Sequence, residues 1–169
     1  ATIGFIEFFG LMMGDGNINE KSIYVSHHAQ AGYMPYYRQV VEEEFGKPIK
    51  YQASSRTSYV HSTAIAREFR QLGFHGKAHT KRLPAWLYRL NKEQQIAFLR
   101  GYLDADGTVR RGEAVYYSCN PALLEDVRFL ALQAGIRIGS VHTLSMAGQC
   151  VLNGRTFNRG DMSTLVCTE

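Results

Sequence analysis

Apolar and polar residues change their spacing along the chain, and each spacing predicts one type of element. Apolar residues at helical spacing predict helices over Met34–Phe45, Ala64–Leu72, Lys92–Asp104 and 121–134. Segments in which β-branched, aromatic and polar residues alternate predict strands over Ile23–His28, Ile49–Ser54, Ser58–Thr63, Ala114–Ser118, Ile138–Met146 and Cys150–Thr156. A short helical turn is predicted after Pro84, whereas 161–169 follows no regular spacing. This mixture of helices and hairpins predicts an α+β fold.

The order of these elements occurs twice. The segment FFGLMMGDG (8–16) recurs as LRGYLDADG (99–107), with Asp15 matching Asp106 at a separation of 91 residues. A strand and then a helix that begins near a proline follow each copy. The sequence therefore predicts two pseudo-symmetric αββαββα halves, 1–75 and 92–169, with a linker at 76–91.

Small residues recur in both copies at four-residue intervals: Gly10 and Gly14, then Gly101 and Ala105. Small residues let two helices approach closely, and the glycine that ends each copy suits the left-handed position after a helix. If the two copies pack together, Asp15 and Asp106 lie side by side at the negative ends of both helix dipoles. That arrangement is unfavourable without a cation, and a hard divalent ion such as Mg²⁺ is the natural partner of carboxylates and carbonyls.

Both segments resemble the signature of the LAGLIDADG homing endonucleases, the second more closely than the first. The flanking sequences KRLPAWLYRLNKEQQIAFLRGYLDADG (81–107) and SCNPALLEDVRFLALQAGIR (118–137) also resemble members of this family that are encoded within inteins. The resemblance covers nearly the whole chain. It implies a monomer folded as a pseudo-dimer, in which the motif helices form the interface between the halves and each half lays a saddle-shaped antiparallel sheet across the major groove of double-stranded DNA.

The same resemblance implies a site-specific, metal-dependent double-strand endonuclease. Asp15 and Asp106 take the positions that bind the catalytic metal, together with Gly14 and Ala105 beside them. The ion would be Mg²⁺, with Mn²⁺ or Ca²⁺ able to replace it in a crystal. Lys81 matches the family's lysine, which polarises water or stabilises the phosphate in the transition state. Asp104 corresponds to a methionine in the first copy and is not expected to be catalytic.

Polar residues on the predicted strands are candidates for reading base edges or holding phosphates. In the first half they are Asn19, Tyr24, Ser26, His28, Lys50, Gln52, Ser54, Arg56, Tyr59 and His61. In the second half they are Arg110, Arg111, Tyr117, His142, Ser145, Arg155 and Asn158. Since side chains alternate between the two faces of a strand, we expect about half of them to face DNA.

Charge and lysine placement refine this picture. The net charge is only +4, but the stretch Lys47–His61 contains no acidic residue, as expected of a surface that binds a polyanion. No lysine follows Lys92, so the second half has no counterpart of Lys81, and Arg155 or Arg159 would have to replace it. We therefore hypothesise that the two DNA strands are cleaved at unequal rates.

Several alternatives stay open or can be discarded. One Asp-Gly pair alone would indicate only a turn, and the glycine spacing after Asp104 excludes an EF-hand loop. The same scaffold could instead be a DNA-binding protein or an intron maturase without nuclease activity, and intein or intron origin is not decided. Three cysteines without CxxC spacing, and apolar segments too short for a membrane span or signal peptide, favour an intracellular setting.

Overall fold

The computed structural model describes residues 1–145, 148–152, 155–159 and 162–167, with side chains outside the description at 144–145, 148–152 and 155–159. The helices are α1 (Ile3–Asp15), α2 (Met34–Phe45), α3 (Thr63–Gln71), α4 (Lys92–Asp106) and α5 (Pro121–Gln133), with a 3₁₀ helix at Ala85–Arg89. The strands are β1 (Gly16–Ile18), β2 (Ser22–Ser26), β3 (Lys50–Gln52), β4 (Thr57–His61), β5 (Gly107–Arg110), β6 (Glu113–Ser118), β7 (His142–Ser145), β8 (Gly148–Leu152), β9 (Arg155–Arg159) and β10 (Met162–Val166).

The first half has the predicted order of elements. Its four strands form an antiparallel sheet in the order β1-β2-β4-β3, and α1, α2 and α3 complete the αββαββα arrangement. One sheet face carries Ile23, Val25 and Val60, which join the core. A proline lies in the first turn of α2, as the sequence predicts.

The second half departs from the prediction in three places. The segment 161–169 was expected to be irregular, but β10 is an inner strand of the antiparallel sheet β5-β6-β10-β7. The predicted strand Cys150–Thr156 is divided between β8 and β9, which pair as a separate ribbon. No third helix follows α5 in the described part of this half, where β7, β8, β9 and β10 come after α5. Pairing between β6 and β10 depends on contacts about 50 residues apart in sequence, which local patterns do not report.

α1 and α4 pack against each other at the glycine positions. A Cβ atom at Gly10 would overlap the carbonyl oxygen of Phe98, and one at Gly101 would overlap the carbonyl oxygen of Glu7. Only glycine lets the two backbones come this close. The expectation of small residues at the interface is confirmed.

The glycines that end the two motifs correct one expectation. Gly16 has φ −86° and Gly107 has φ −135°, so both are extended rather than left-handed. A Cβ at Gly16 would overlap the carbonyl oxygen of Met12, four residues back along the same helix. These glycines are therefore required by the sharp change from helix to strand, not by a positive φ.

Aromatic side chains fill the core around α1. Phe9 stacks on Phe69 of α3 with ring centroids 5.7 Å apart, and it meets Trp86 edge-on at 5.2 Å. The indole N–H of Trp86 donates to the carbonyl of Leu72 at 2.7 Å. No helix in the described part of the chain combines the length and apolar character required to cross a membrane.

Candidate functional site

The two acidic residues predicted to bind metal occupy the last positions of α1 and α4. A Cβ on Gly14 would lie 3.1 Å from Oδ2 of Asp106, so the Asp106 carboxylate rests against the residue that precedes Asp15. Both acids line a cavity of about 240 Å³ together with Lys81 and Cys119. Close packing of the helices therefore brings the two motifs' acids to one cavity.

Burial perturbs both carboxylates. It raises the pKa of Asp15 to about 6, although Lys81 and His28 act in the opposite direction. Burial, followed by the negative charge of Asp15, raises the pKa of Asp106 to about 7, and Lys81 again opposes the change. Each ionised carboxylate is thus disfavoured by lost hydration, and a cation between them would relieve that cost.

Lys81 lies on the linker but points at the end of α1. The residue is 4% exposed, and its ammonium donates to the carbonyl oxygens of Gly16 at 2.7 Å and Met13 at 3.1 Å, with Gly14 and Met12 at 3.3 and 3.4 Å. A cation at this position satisfies the carbonyls of Met13 and Gly14 in the last turn of α1, whereas the Met12 carbonyl also accepts from the Gly16 N–H. Burial lowers the pKa of Lys81 to about 8, while the two carboxylates act to raise it.

The carbonyls of Gly14 and Ala105 were predicted to assist the carboxylates. Gly14 already accepts a hydrogen bond from Lys81, which leaves one lone pair on that oxygen. Ala105 packs against Gly14 through its Cβ atom. Among the described residues, no cluster of three or more histidine, cysteine, aspartate or glutamate side chains is suited to hold a metal ion.

A second and larger cavity, of about 630 Å³, opens on the other side of Asp15. It is lined by Asp15, His28, Arg56 and Asp104 among others. Asp104 accepts a hydrogen bond from the hydroxyl of Tyr37 on α2 at 2.7 Å. Among the described residues, Asp104 therefore accepts a side-chain hydrogen bond from α2, which neither Asp15 nor Asp106 does.

One face of the first sheet is polar. The register places Asn17, Tyr24, Tyr59 and Lys50 in one row across β1, β2, β4 and β3. The rings of Tyr24 and Tyr59 are 6.3 Å apart. Ser26, Thr57 and Gln52 form a parallel row, and His61 pairs with Ser22 through a 2.9 Å hydrogen bond.

The remaining first-half candidates lie beside this face. Asn19 is in the β1–β2 turn and donates to the hydroxyl of Tyr24 at 2.8 Å. Ser54 and Arg56 are in the β3–β4 turn, where Arg56 has a φ of 50°. His28 follows β2 and lines the larger cavity.

The second sheet has a matching face with different side chains. The register places Tyr117, Thr164 and His142 in one row across β6, β10 and β7. Arg110 on β5 stacks its guanidinium 6.0 Å over the ring of Tyr117, and exposed Arg111 occupies the β5–β6 turn with φ 53°. Ser145 pairs with Met162 along the backbone, whereas the side chains of Ser145, Arg155 and Asn158 lie outside the description.

Sequence reasoning missed several polar-face residues. Asn17, Thr57 and Thr108 face the same side as the predicted ones, but Asn17 and Thr108 lie on β1 and β5, which were not predicted as strands, and Thr57 lies one residue before the predicted start of β4. Thr164 was missed because β10 was not predicted. Asn120 was missed as well, although an Asn-Pro pair before a helical segment is a recognisable capping signal.

Comparison with known proteins agrees with this geometry. Residues 93–150 match a family model described as a LAGLIDADG-like domain. This chain carries the LAGLIDADG fold. The homing endonuclease I-DmoI superposes with a TM-score of 0.68 at 17% identity, covering 99% of this chain and 85% of that one. Full-length DUF199/WhiA from Thermotoga maritima superposes with a TM-score of 0.55 at 12% identity, covering 99% of this chain and 51% of that one.

Two curated relatives match over most of this chain. An iron-sulfur cluster assembly SufBD family protein of Mycobacterium leprae is 33% identical over 142 residues, which are 80% of this chain and 16% of the relative. A DNA polymerase of Thermococcus hydrothermalis is 30% identical over 142 residues, 77% of this chain and 8% of the relative. The chain thus spans less than one fifth of either relative's length.

Proposed function

We propose that this chain is a site-specific double-strand DNA endonuclease that hydrolyses phosphodiester bonds with a divalent metal. The observation that carries the proposal is the pair Asp15 and Asp106, both partly buried, both with raised pKa, and both facing one cavity with Lys81. Two partly buried acids in one cavity cost folding free energy when both are ionised, and a bound cation would offset that cost. Solved complexes of I-DmoI with DNA and Ca, and with DNA and Mn, support the same chemistry.

The donor set fits a hard cation. Two carboxylates and the carbonyls of Gly14 and Ala105 offer only oxygen, which Mg²⁺ prefers, and DNA phosphate and water would complete the coordination. A bound ion would supply charge stabilisation for the phosphate and a more acidic water. Gly14 would contribute only the lone pair that Lys81 leaves free.

The side chains of the cavity would provide the remaining contributions to catalysis. Asp15 and Asp106 would hold their charge at the two helix ends, where the glycine contacts between α1 and α4 fix their separation. The ammonium of Lys81 would offset excess negative charge in the cavity, as its opposing effect on both carboxylates indicates. Catalysis would then be mainly positioning and electrostatic stabilisation.

The polar faces of the two sheets would bind the duplex. An extended sheet can enter the major groove and present alternate side chains to base edges. Tyr24, Ser26, Lys50, Gln52, Tyr59 and His61 share such a face in the first half, and Arg110, Tyr117 and His142 share one in the second. Since the two faces differ, the two halves of the target sequence would differ too.

A cleavage selection tests the proposal. The whole chain is incubated with a randomised duplex library and Mg²⁺, and the cut ends are ligated to adaptors and sequenced. We expect one long, asymmetric site and no cleavage in EDTA. Strand-resolved nicking on the recovered site then tests the hypothesis of unequal strands, and equal rates would refute it.

Isosteric variants separate the carboxylates' roles. Asp15→Asn and Asp106→Asn should each abolish cleavage while retaining DNA binding. Asp104→Asn is the matched control, since asparagine can still accept the Tyr37 hydrogen bond and Asp104 lies outside the pair. Specific binding without any cleavage by the unaltered chain would reject the endonuclease and favour the DNA-binding or maturase alternative.

We also infer that the chain is a portable element. The same 142-residue length matches two proteins whose names describe unrelated tasks, and it forms 16% of one and 8% of the other. A segment shared in this way does not account for either named task, which favours an insert of the intein type. Expressing this segment together with the sequences that flank it in its host protein, and detecting by mass spectrometry a spliced product that lacks it, would test the inference.

A further inference from the structure

The position of Lys81 depends on how the linker is held, because the linker has no regular secondary structure where it passes the cavity. The segment 77–84 contains no helix or strand, and its turn is closed locally by Thr80 N–H and Lys81 N–H donating to the carbonyl of Lys77. A lysine on such a segment needs contacts from outside to stay buried, at 4% exposure, with its ammonium against the end of α1.

α5 supplies those contacts from the second half. The side-chain amide of Asn120 donates to the carbonyl of Lys81 at 2.8 Å and to the carbonyl of Ala78 at 3.2 Å. Farther along, Asp126 accepts two hydrogen bonds from Arg82 at 2.6 and 2.7 Å. Of these two residues, Asn120 bonds the backbone of Lys81 itself, and it is only 3% exposed.

Asn120 uses its two side-chain atoms for different tasks. Its Oδ1 caps α5 by accepting from Leu123 N–H at 3.1 Å. Serine or aspartate could cap equally well with one oxygen. The amide nitrogen is therefore not needed for the cap, and both of its hydrogen bonds go to the linker.

Among the described residues, the start of α2 in the first half has no matching side-chain contact. The residue at the start of α2 is Tyr33, which makes no side-chain capping hydrogen bond. The two halves are thus joined asymmetrically: the start of α5 in the second half holds the backbone whose lysine meets the end of α1 in the first.

We propose that Asn120 is a positioning residue for cleavage: its two hydrogen bonds hold the linker so that the Lys81 ammonium stays on the carbonyls that end α1, in the cavity that the two motif carboxylates also line. The proposal rests on the endonuclease function for its effect on rate. The seating of Lys81 does not depend on that function and can be measured separately.

The test compares two Asn→Ser variants at helix N-caps in the whole chain. Asn120→Ser retains a capping oxygen and loses both bonds to the linker. Asn91→Ser is the matched control, because Asn91 caps α4 through Gln94 and has no hydrogen bond to the linker carbonyls. Asn120→Asp is a second variant of nearly the same shape as asparagine, with no donor.

Acylation of lysines by a water-soluble succinimidyl ester, followed by mass spectrometry, reports the seating. Lys81 should be protected in the unaltered chain and in Asn91→Ser. Its labelling should rise about 10-fold in Asn120→Ser, because the loss of two hydrogen bonds makes local opening of the linker more frequent. Cleavage of the selected site should fall by roughly 100-fold with unchanged DNA affinity, since a small misplacement of a catalytic group has this effect.

The two readouts distinguish the possible failures. Protection of Lys81 in both Asn120 variants would overturn the proposal, and so would equal exposure in Asn91→Ser, which would indicate general loosening. Exposure of Lys81 without any loss of cleavage would also overturn it. If the unaltered chain cleaves no DNA, the endonuclease proposal fails, while labelling still decides whether Asn120 seats Lys81.

Discussion

Arg100 on α4 donates to the carboxylate of Glu7 on α1 at 2.7 Å, whereas the pseudo-symmetric positions hold Phe98 and Phe9, whose rings are 6.5 Å apart. One side of the motif interface is thus ionic and the other aromatic. A homotypic α1–α1 pair would set Glu7 against Phe9 twice and would leave the buried charge of Glu7 with the Tyr36 hydroxyl but without a cation. The two motif helices are complementary to each other rather than to themselves.

This complementarity predicts how much stability the chain loses when the charge of Arg100 is removed. Arg100→Met should lower the free energy of unfolding by about 1–2 kcal/mol, because Glu7 is buried but Arg100 is more than half exposed and partly screened. Urea unfolding measures the change. The exposed pair Arg128–Glu125 provides the control, and Glu125→Gln should change stability by no more than about 0.5 kcal/mol. Equal losses in the two variants would contradict the interpretation.

The helix contact predicts strong sensitivity at two glycines. Gly10→Ala and Gly101→Ala should each destabilise the chain by about 3 kcal/mol, since the added methyl overlaps backbone atoms that cannot move without separating α1 from α4. Gly32→Ala is the control, because nothing lies within 4 Å of its Cβ position. Thermal unfolding followed by circular dichroism should show a large fall only for the first two.

The buried acids predict how stability without metal depends on pH. Asp15 and Asp106 have pKa values of about 6 and 7, above their unfolded value of 3.8, so the folded chain binds more protons than the unfolded chain between those limits. Stability in EDTA should therefore fall as pH rises from about 4 to 7. Urea unfolding at pH 5 and pH 7 measures the slope.

Asp106→Asn is the variant that checks this assignment. It should remove much of the negative slope and should be more stable than the unaltered chain at pH 7, because asparagine cannot ionise. Mg²⁺ should stabilise the unaltered chain more at pH 7 than at pH 5, as metal and protons compete for the carboxylates. If stability still fell as steeply with pH in Asp106→Asn, the pH dependence would arise from other groups.

The first sheet predicts that two residues of β3 contact different parts of the DNA. Lys50 and Gln52 share the polar face. Lys50→Ala should weaken binding to all duplexes and reduce the salt dependence of affinity by about one counterion, as expected for a phosphate contact. Gln52→Ala should leave the salt dependence unchanged and relax the preference at one base pair. Titrations at several salt concentrations distinguish the two, and identical salt slopes for both variants would refute the assignment.

Much of the fold could be predicted because its signals are local. The repeat of Gly10, Asp15 and Gly16 at 101, 106 and 107 is visible without coordinates. Helix spacing located α2 to α5, and the motif located α1, which together are the α-helices of the described residues. Strand β10 could not be predicted, since Met162–Val166 is held by β6 and β7, and neither partner is near it in sequence.

The sequence by itself determined that two acids would end two similar helices and that small residues would let those helices meet. Only the tertiary structure decided their surroundings. Burial gave the acids raised pKa values, a lysine from the linker met the carbonyls of α1, and an asparagine from the other half fastened that linker. These relationships join residues distant in the chain, and their energies depend on desolvation and hydrogen-bond distance, which sequence spacing does not specify.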